Sequence, residues 1–367
     1  MNPTQKLHDI GQSLWLDTIT RDLLESGTLK RYIDEFSITG LTSNPTIFDQ
    51  AIAKSDAYDQ SIRKLSARGK AGEALLFDLA LEDLTRAADL FSPVHRETDG
   101  VDGWVSLEVA PQLAYDAARS VAQATELHTK AKKPNLFIKI PGTEPGLSAI
   151  EEATFAGVPI NVTLLFSREH YLAAADAYLR GLERRQAAGL DLRVPSVASL
   201  FVSRWDQAVT DKAPAALRNR LGIAIAQRTY RAYRDLLGSD RWHRLAAAGA
   251  QPQRLLFGST GTKDPQASDV LYIQALAAPD TINTMPEKTL LAFARHGTVA
   301  ELLPRDGGDA EQVLAEFARA AIDIDRLAAK LQVDGAKAFE TSWNDLMGSV
   351  ATKSDALRRS TPKAMTS

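Results

Sequence analysis

One pattern recurs along the chain: a short apolar stretch ending in polar or Gly/Pro residues, then a longer segment with helical periodicity. Eight apolar stretches stand out, "SLWLD" from Ser13, "SITGLTSN" from Ser37, "GWVSLEV" from Gly103, "NLFIKI" from Asn135, "PINVTLLF" from Pro159, "PSVASLF" from Pro195, "RLLFGS" from Arg254 and "DTINTM" from Asp280. Alternating strand and helix predicts parallel strands with crossover helices. Eight such units favour an α/β fold of the closed (β/α)8 TIM-barrel type over the competing doubly wound open sheet. One crossover helix is legible from spacing. Ile225, Thr229, Ala232 and Leu236 share a face, and Gly238 sits where a helix end favours a residue tolerant of positive φ.

Two regions exceed this plain repeat. From about Pro45 to Phe91 the sequence reads as helical and is broken only by "ARGKAG", which predicts at least two helices. From Gly308 to about Leu357 it again reads as helical, with "VLAEFARAAIDIDRLAAKL" a good amphipathic run. The expectation is a single barrel domain over residues 1–367, with 308–360 a helical extension packed on the barrel. The terminal "RRSTPKAMTS" reads as a frayed polar end.

Composition narrows the chemistry. With 367 residues, 44% hydrophobic and 24% charged, the chain can bury a large core and is not a disordered protein. Its net charge of -3 offers no basic surplus for nucleic acid or anionic lipid. Cysteine is absent, so disulfides, thiolate metal sites and a cysteine nucleophile are excluded, and a reducing compartment fits. The N-terminus shows no charged-then-apolar leader, and no apolar run reaches roughly the 18 residues of a membrane span. A cytoplasmic protein is expected.

The strands become informative when their two faces are separated. Leu14 and Leu16 oppose Trp15 and Asp17; Thr42 and Asn44 share a parity with Gly40; Val105, Leu107 and Val109 oppose Trp104, Ser106 and Glu108. In the fourth strand Phe137 and Lys139 oppose Leu136, Ile138 and Ile140; in the fifth Asn161 and Thr163 oppose Val162 and Leu164; in the sixth Ser199 lies with Val197 and Phe201. Each strand thus has one apolar face for helices and one face whose polar residues gather at its C-terminal end, where barrels of this class build their sites.

Singly, most of these residues have an ordinary reading. Asp17 could cap the following helix, Asn44 could serve a turn before Pro45, Glu108 could join a structural ion pair, and hydroxyls such as Thr163 and Ser199 often bond their own backbone. A lysine inside a buried strand is harder to dismiss. Together the residues suggest a chemistry. A desolvated lysine has a lowered pKa and can attack a carbonyl, the protonated imine then withdraws electrons so that a C–C bond breaks, and two carboxylates move the protons. This is the logic of a metal-independent aldolase. The histidines His8, His95, His128, His170, His243 and His296 are scattered without metal-like spacing, and neither metal nor cofactor is expected.

These residues resemble one family, the transaldolases of the longer form. The likeness is carried by "WLDTI", "TGLTSNPTIF", "SLEVAP", "IKIPGT", "NVTLLFS" and "SLFVSRWD" on the first six strands, with "GSTGTK" and "TINTMP" after them, and so covers most of the chain in order. The resemblance implies reversible transfer of a dihydroxyacetone unit from a ketose phosphate, sedoheptulose 7-phosphate or fructose 6-phosphate, to glyceraldehyde 3-phosphate or erythrose 4-phosphate, in the non-oxidative pentose phosphate pathway. It further implies Lys139 as the Schiff-base nucleophile, Asp17 as the carboxylate exchanging the C4 hydroxyl proton, Glu108 as the acid/base acting through a water, and Thr163 as the hydroxyl positioning that water. By the same resemblance Asn44 and Asn161 would hold hydroxyls of the three-carbon unit, Phe201 would wall the site, Ser199 and Arg204 would meet the phosphate, and Thr42 and Ser106 would support them. Where shorter transaldolases carry an arginine after the seventh strand, "GSTGTK" offers Lys263, a point charge without the bidentate fork. The same stretch lacks the spacing of a nucleotide-binding G-x-x-x-x-G-K-[ST] loop.

The partners expected are therefore sugar phosphates, not nucleic acid or membrane, and a homodimer is compatible with the sequence. Two alternatives stand beside transaldolase: a fructose-6-phosphate aldolase releasing free dihydroxyacetone, and a non-catalytic sugar-phosphate-binding barrel. In the aldolase relative a tyrosine handles the water-linked proton chemistry, so Glu108 favours transaldolase.

Overall fold

The computed structural model describes residues 2–43 and 45–360. Its strands are β1 (Ser13–Leu16), β2 (Ile38–Thr42), β3 (Trp104–Glu108), β4 (Leu136–Pro141), β5 (Ile160–Leu165), β6 (Ser196–Phe201), β7 (Gln253–Gly258) and β8 (Ile282–Met285). They close in chain order into a barrel, as the alternation predicts. All eight neighbouring pairs are parallel, β8 with β1 included.

The two faces of each strand separate two cores. Leu14, Leu16, Ile138, Ile140 and Val162 pack outward into the large cluster shared with the helices. Trp15, Trp104, Phe137, Val197, Leu256 and Ile282 form a second cluster inside the barrel. Trp104 stacks on Phe137 with ring centroids 4.0 Å apart, and Trp15 lies 6.2 Å from the same ring. At the N-terminal rim, Arg254 closes the barrel by pairing with Asp102 at 3.2 Å and donating to Ser13 Oγ at 2.6 Å. The interior thus runs from an ion pair at the bottom, through an aromatic layer, to the polar strand ends at the top.

Gly40 makes the aromatic layer fit. A Cβ there falls 2.6 Å from the Trp15 indole and 2.7 Å from the Trp104 carbonyl oxygen, so β2 carries no side chain at that level. Gly40→Ala is expected to overpack the layer and lower stability by about 1–3 kcal/mol, read as a lower urea midpoint at unchanged slope.

Outside the barrel the helices largely follow the pattern. The segment before β3 holds helices at Pro45–Lys54, Asp59–Ala67 and Gly72–Glu97, the last running beyond Phe91 and through Pro93. The helix Leu221–Leu237 buries Ile225, Thr229 and Ala232 as its spacing predicts. Gly238 ends it at φ -87°, so the tolerance for positive φ expected of that glycine is not used. The C-terminal amphipathic run is not continuous either. It splits into Ala310–Arg319 and Ile324–Ser360. Ala321 turns the chain at φ 59°, and Asp323 accepts from the Arg326 N–H at 3.0 Å to start the second helix. A cap thus overrides an amphipathic pattern that spacing alone reads as one helix.

Candidate active site

Register brings the polar strand ends together. Glu108 on β3 is the Cα partner of Lys139 on β4, and Lys139 is the partner of Asn161 on β5. All three lie on inward faces, so a carboxylate, an amine and an amide form one row across adjacent strands. Lys139 is 7% exposed and Glu108 6% exposed, and the ammonium contacts Glu108 Oε1 directly. The ordinary reading of Glu108 as an ion-pair partner is thus correct in form, but its partner is the candidate nucleophile.

β4 ends firmly. Thr143 caps the helix Glu144–Phe155 by accepting from the Gly146 N–H at 3.2 Å and donates to the Ala114 carbonyl. "IKIPGT" therefore joins an inward lysine to a capped helix start, which holds the strand end in place.

Asn161 is fixed from both sides. Its Nδ2 donates to Ser106 Oγ at 3.1 Å, and its Oδ1 accepts from Ser199 Oγ at 2.7 Å. Ser106 thus holds the Asn161 amide from one side. Ser199 uses its hydroxyl proton on the amide, a different use from the phosphate contact expected of it. Thr163 is 2% exposed, and its Oγ1 has no hydrogen-bond partner among the described residues. Just beyond it β5 shifts register between Val162 and Leu165, with Leu164 at φ 60°. The irregularity leaves the Leu164 carbonyl to accept from Gln332 Nε2 at 3.0 Å.

Asp17 follows β1. Its N–H donates to the Met285 carbonyl at 2.8 Å, while Thr20 caps the helix Arg21–Glu25, so Asp17 is not the cap of that helix. Its Oδ1 accepts from Thr42 Oγ1 at 2.9 Å, and Thr42 meets Thr284 Oγ1 at 3.2 Å. The residue is half-buried where it lines the cavity. Burial pushes its pKa up to about 6, against the lowering pull of Lys139 and the Thr42 hydrogen bond.

The outer wall is cationic. Arg204, half-buried on the helix Ser203–Val209, has its guanidinium 5.2 Å from the Phe201 ring centroid and 5.7 Å from that of Phe339. Burial lowers its pKa from the ordinary value, opposed by the charges of Asp17 and Glu108. Lys263 is exposed, yet it lines the same cavity and its charge acts on Asp17. The rest of "SLFVSRWD" is structural: Trp205 Nε1 donates to the Phe166 carbonyl at 2.9 Å, and Asp206 accepts from the Leu221 and Gly222 N–H groups at 2.9 and 3.1 Å.

One cavity of about 430 Å³ joins these groups. Asp17, Thr42, Glu108, Lys139, Thr163, Ser199, Phe201, Arg204 and Lys263 line it; Asn161, the third member of the row, and Ser106, which holds its amide, lie just beneath that lining. Asn44 lies outside the described residues. Sequence reasoning missed Ser43, Ser259, Thr284 and Phe339, which also line the cavity. Thr284 was findable, because alternation in "TINTM" puts it on the same face as the interior Ile282. Phe339 had no such signal, since it sits on a helix far along the chain. Among the described residues no group of three or more His, Asp or Glu could hold a metal ion, and no helix is long and apolar enough to cross a membrane.

Such a site can form an imine on an amine, move protons with two carboxylates and hold an anion at its outer wall. Residues 14–350 match the model of a family described as transaldolase/fructose-6-phosphate aldolase. A protein named transaldolase from Thermobifida fusca (strain YX) is 45% identical, over 95% of this chain and 98% of its own length. One from Frankia alni is also 45% identical, over 95% and 97%. A third, from Thiobacillus denitrificans, is 43% identical over 95% of this chain and all of its own.

Proposed function

Since the chain belongs to the transaldolase/fructose-6-phosphate aldolase family, we propose that it is a transaldolase acting on sugar phosphates through a Schiff base on Lys139. The observation that carries this reading is the buried row of Glu108, Lys139 and Asn161, facing Asp17 across a cavity with Arg204 at its wall.

The neutral Lys139 amine adds to the ketose C2 carbonyl, and the carbinolamine loses water to give a protonated imine. Glu108, in contact with that nitrogen, serves the proton transfers of dehydration and hydrolysis through a water held by Thr163. Asp17 takes the proton of the C4 hydroxyl. The O–H electrons form the aldehyde carbonyl, the C3–C4 bond breaks, and its pair moves into the imine to leave an enamine on Lys139. The aldose phosphate departs. An acceptor aldehyde is then attacked by C3 of the enamine, Asp17 returns the proton to the new hydroxyl, and hydrolysis frees the longer ketose phosphate.

Asn161, and Asn44 with it, hold hydroxyls of the three-carbon unit, with Ser106 and Ser199 fixing the Asn161 amide. Thr42 orients Asp17, Phe201 walls the site, and Arg204 and Lys263 supply charge to the phosphate. Because phosphorylated sugars do not cross membranes unaided, we place the enzyme in the cytoplasm, in the non-oxidative pentose phosphate pathway.

The test uses fructose 6-phosphate with and without erythrose 4-phosphate. Without acceptor, about one equivalent of glyceraldehyde 3-phosphate is expected per site, and borohydride reduction leaves a three-carbon adduct on the peptide carrying Lys139. With acceptor, turnover becomes continuous. Continuous release of free dihydroxyacetone without acceptor makes the enzyme an aldolase instead. A folded protein that binds donor without forming an adduct is a sugar-phosphate binder.

A further inference from the structure

The helix Ile324–Ser360 touches the barrel mouth at three points. Gln332, Gly335 and Phe339 are spaced to lie along one face. Gln332 Nε2 donates to the Gly142 and Leu164 carbonyls, both at 3.0 Å, and so ties together the ends of β4 and β5. Those are the strands that carry Lys139, Asn161 and Thr163. One turn on, Gly335 lets the helix approach closely: a Cβ there falls 3.0 Å from Leu164 Cδ2, 3.2 Å from Arg204 Nη1 and 3.4 Å from Phe166 Cζ. A further turn on, Phe339 enters the cavity and meets Phe201 edge-on at 6.2 Å.

Arg204 lies within cation–π range of both rings. No ion pair or hydrogen bond joins its guanidinium to a described residue, so its depth is set by packing, against the two rings and the close-approaching helix at Gly335. Away from the mouth the same helix is held independently, by Trp343 against Phe77 with centroids 5.4 Å apart and by Lys353 at 2.9 Å from Asp59. The contact face is therefore presented by an anchored element.

We propose that this C-terminal helix is part of the active site, with Phe339 a positioning residue that holds Arg204 at the depth where it recognises the substrate phosphate, and with Gln332 and Gly335 setting the height of the helix over β4 and β5. The proposal rests on the transaldolase reading. In this role Phe339 acts through Arg204. Its effect falls on discrimination between phosphorylated and phosphate-free donors.

The experiment compares fructose 6-phosphate with unphosphorylated fructose, each with erythrose 4-phosphate as acceptor, in Phe339→Leu, Phe339→Tyr and Arg204→Gln. Leucine fills much of the space but has no π face. Phe339→Leu is expected to raise KM for fructose 6-phosphate about five- to thirtyfold, the scale of a desolvated cation–π contact, with kcat changed much less. The ratio of kcat/KM between the two donors falls with it. Phe339→Tyr keeps the ring and restores most of that ratio.

A wild-type KM in Phe339→Leu beside a raised KM in Arg204→Gln overturns the proposal and leaves the functional reading standing. Wild-type KM values in both variants overturn the phosphate role of Arg204, and the proposal with it. An equal fall of kcat/KM toward both donors assigns Phe339 to packing alone and also overturns it.

Discussion

Lys139→Met is expected to lose the borohydride adduct completely and to lower turnover by about 10⁵-fold or more, the scale on which a covalent nucleophile is removed. Methionine keeps most of the apolar stem, so the barrel interior stays filled. The charge balance does not. Lys139 and Glu108 are each more than nine-tenths buried and in contact, so the single variant leaves a buried carboxylate without its partner. Breaking such a pair costs about 3–5 kcal/mol unless the survivor takes up a proton. The double variant Lys139→Met/Glu108→Gln removes both charges and should recover most of the lost stability while recovering none of the adduct. That pattern separates chemistry from folding, because stability returns where activity does not. An adduct that persists in Lys139→Met on another peptide, for instance the one carrying Lys263, would sink the assignment.

The reason Lys139 was legible in the sequence is also the reason it matters. Period-two alternation in "NLFIKI" puts it opposite Leu136, Ile138 and Ile140, and the barrel confirms Phe137 as its interior neighbour. The same rule placed Glu108, Asn161, Thr163 and Thr42, because each belongs to a strand whose other face is covered by helices. A strand's inward parity and its C-terminal end are both local properties. What the pattern could not give was contact across the sequence. Ser199 has the right face, but only its hydrogen bond with Asn161 shows that it supports an amide. Thr20 outcompetes Asp17 as the helix cap, a choice between two local acceptors that spacing leaves open. Phe339 and Gln332 reach the site from a helix that reads, by periodicity, as an ordinary amphipathic extension. Its apolar face predicts burial but not which strand ends lie beneath it, and that register is set by Gln332 on two carbonyls freed at the ends of β4 and β5.

Asp17 poses the sharper conflict between stability and function. Its pKa is raised from 3.8 to about 6 by burial, so the folded protein binds this proton more tightly than the unfolded chain does. Ionising it therefore works against the fold: the cost is absent below about pH 4, grows as pH rises to about 6, and is fully present above. At about 1.4 kcal/mol per pH unit, this interval bounds the cost at roughly 3 kcal/mol. Asp17→Asn removes that charge while keeping an oxygen for the Thr42 hydroxyl. Above pH 6 the variant should be more stable than the wild type by up to ~3 kcal/mol, and this gain should fade as pH falls toward 4. Catalysis moves the opposite way. Without a carboxylate to take the C4 proton, cleavage should slow by about 10²–10⁴-fold. Imine formation on Lys139 does not need that proton transfer, so the six-carbon adduct should accumulate and be trapped by borohydride. The wild-type kcat/KM should fall as pH drops through about 6, since only ionised Asp17 can act as the base, and this acid limb should be missing from the residual activity of the variant. An unchanged limb in Asp17→Asn would move the titration to another group. Unchanged stability above pH 6 would show that the carboxylate is better solvated than its raised pKa implies.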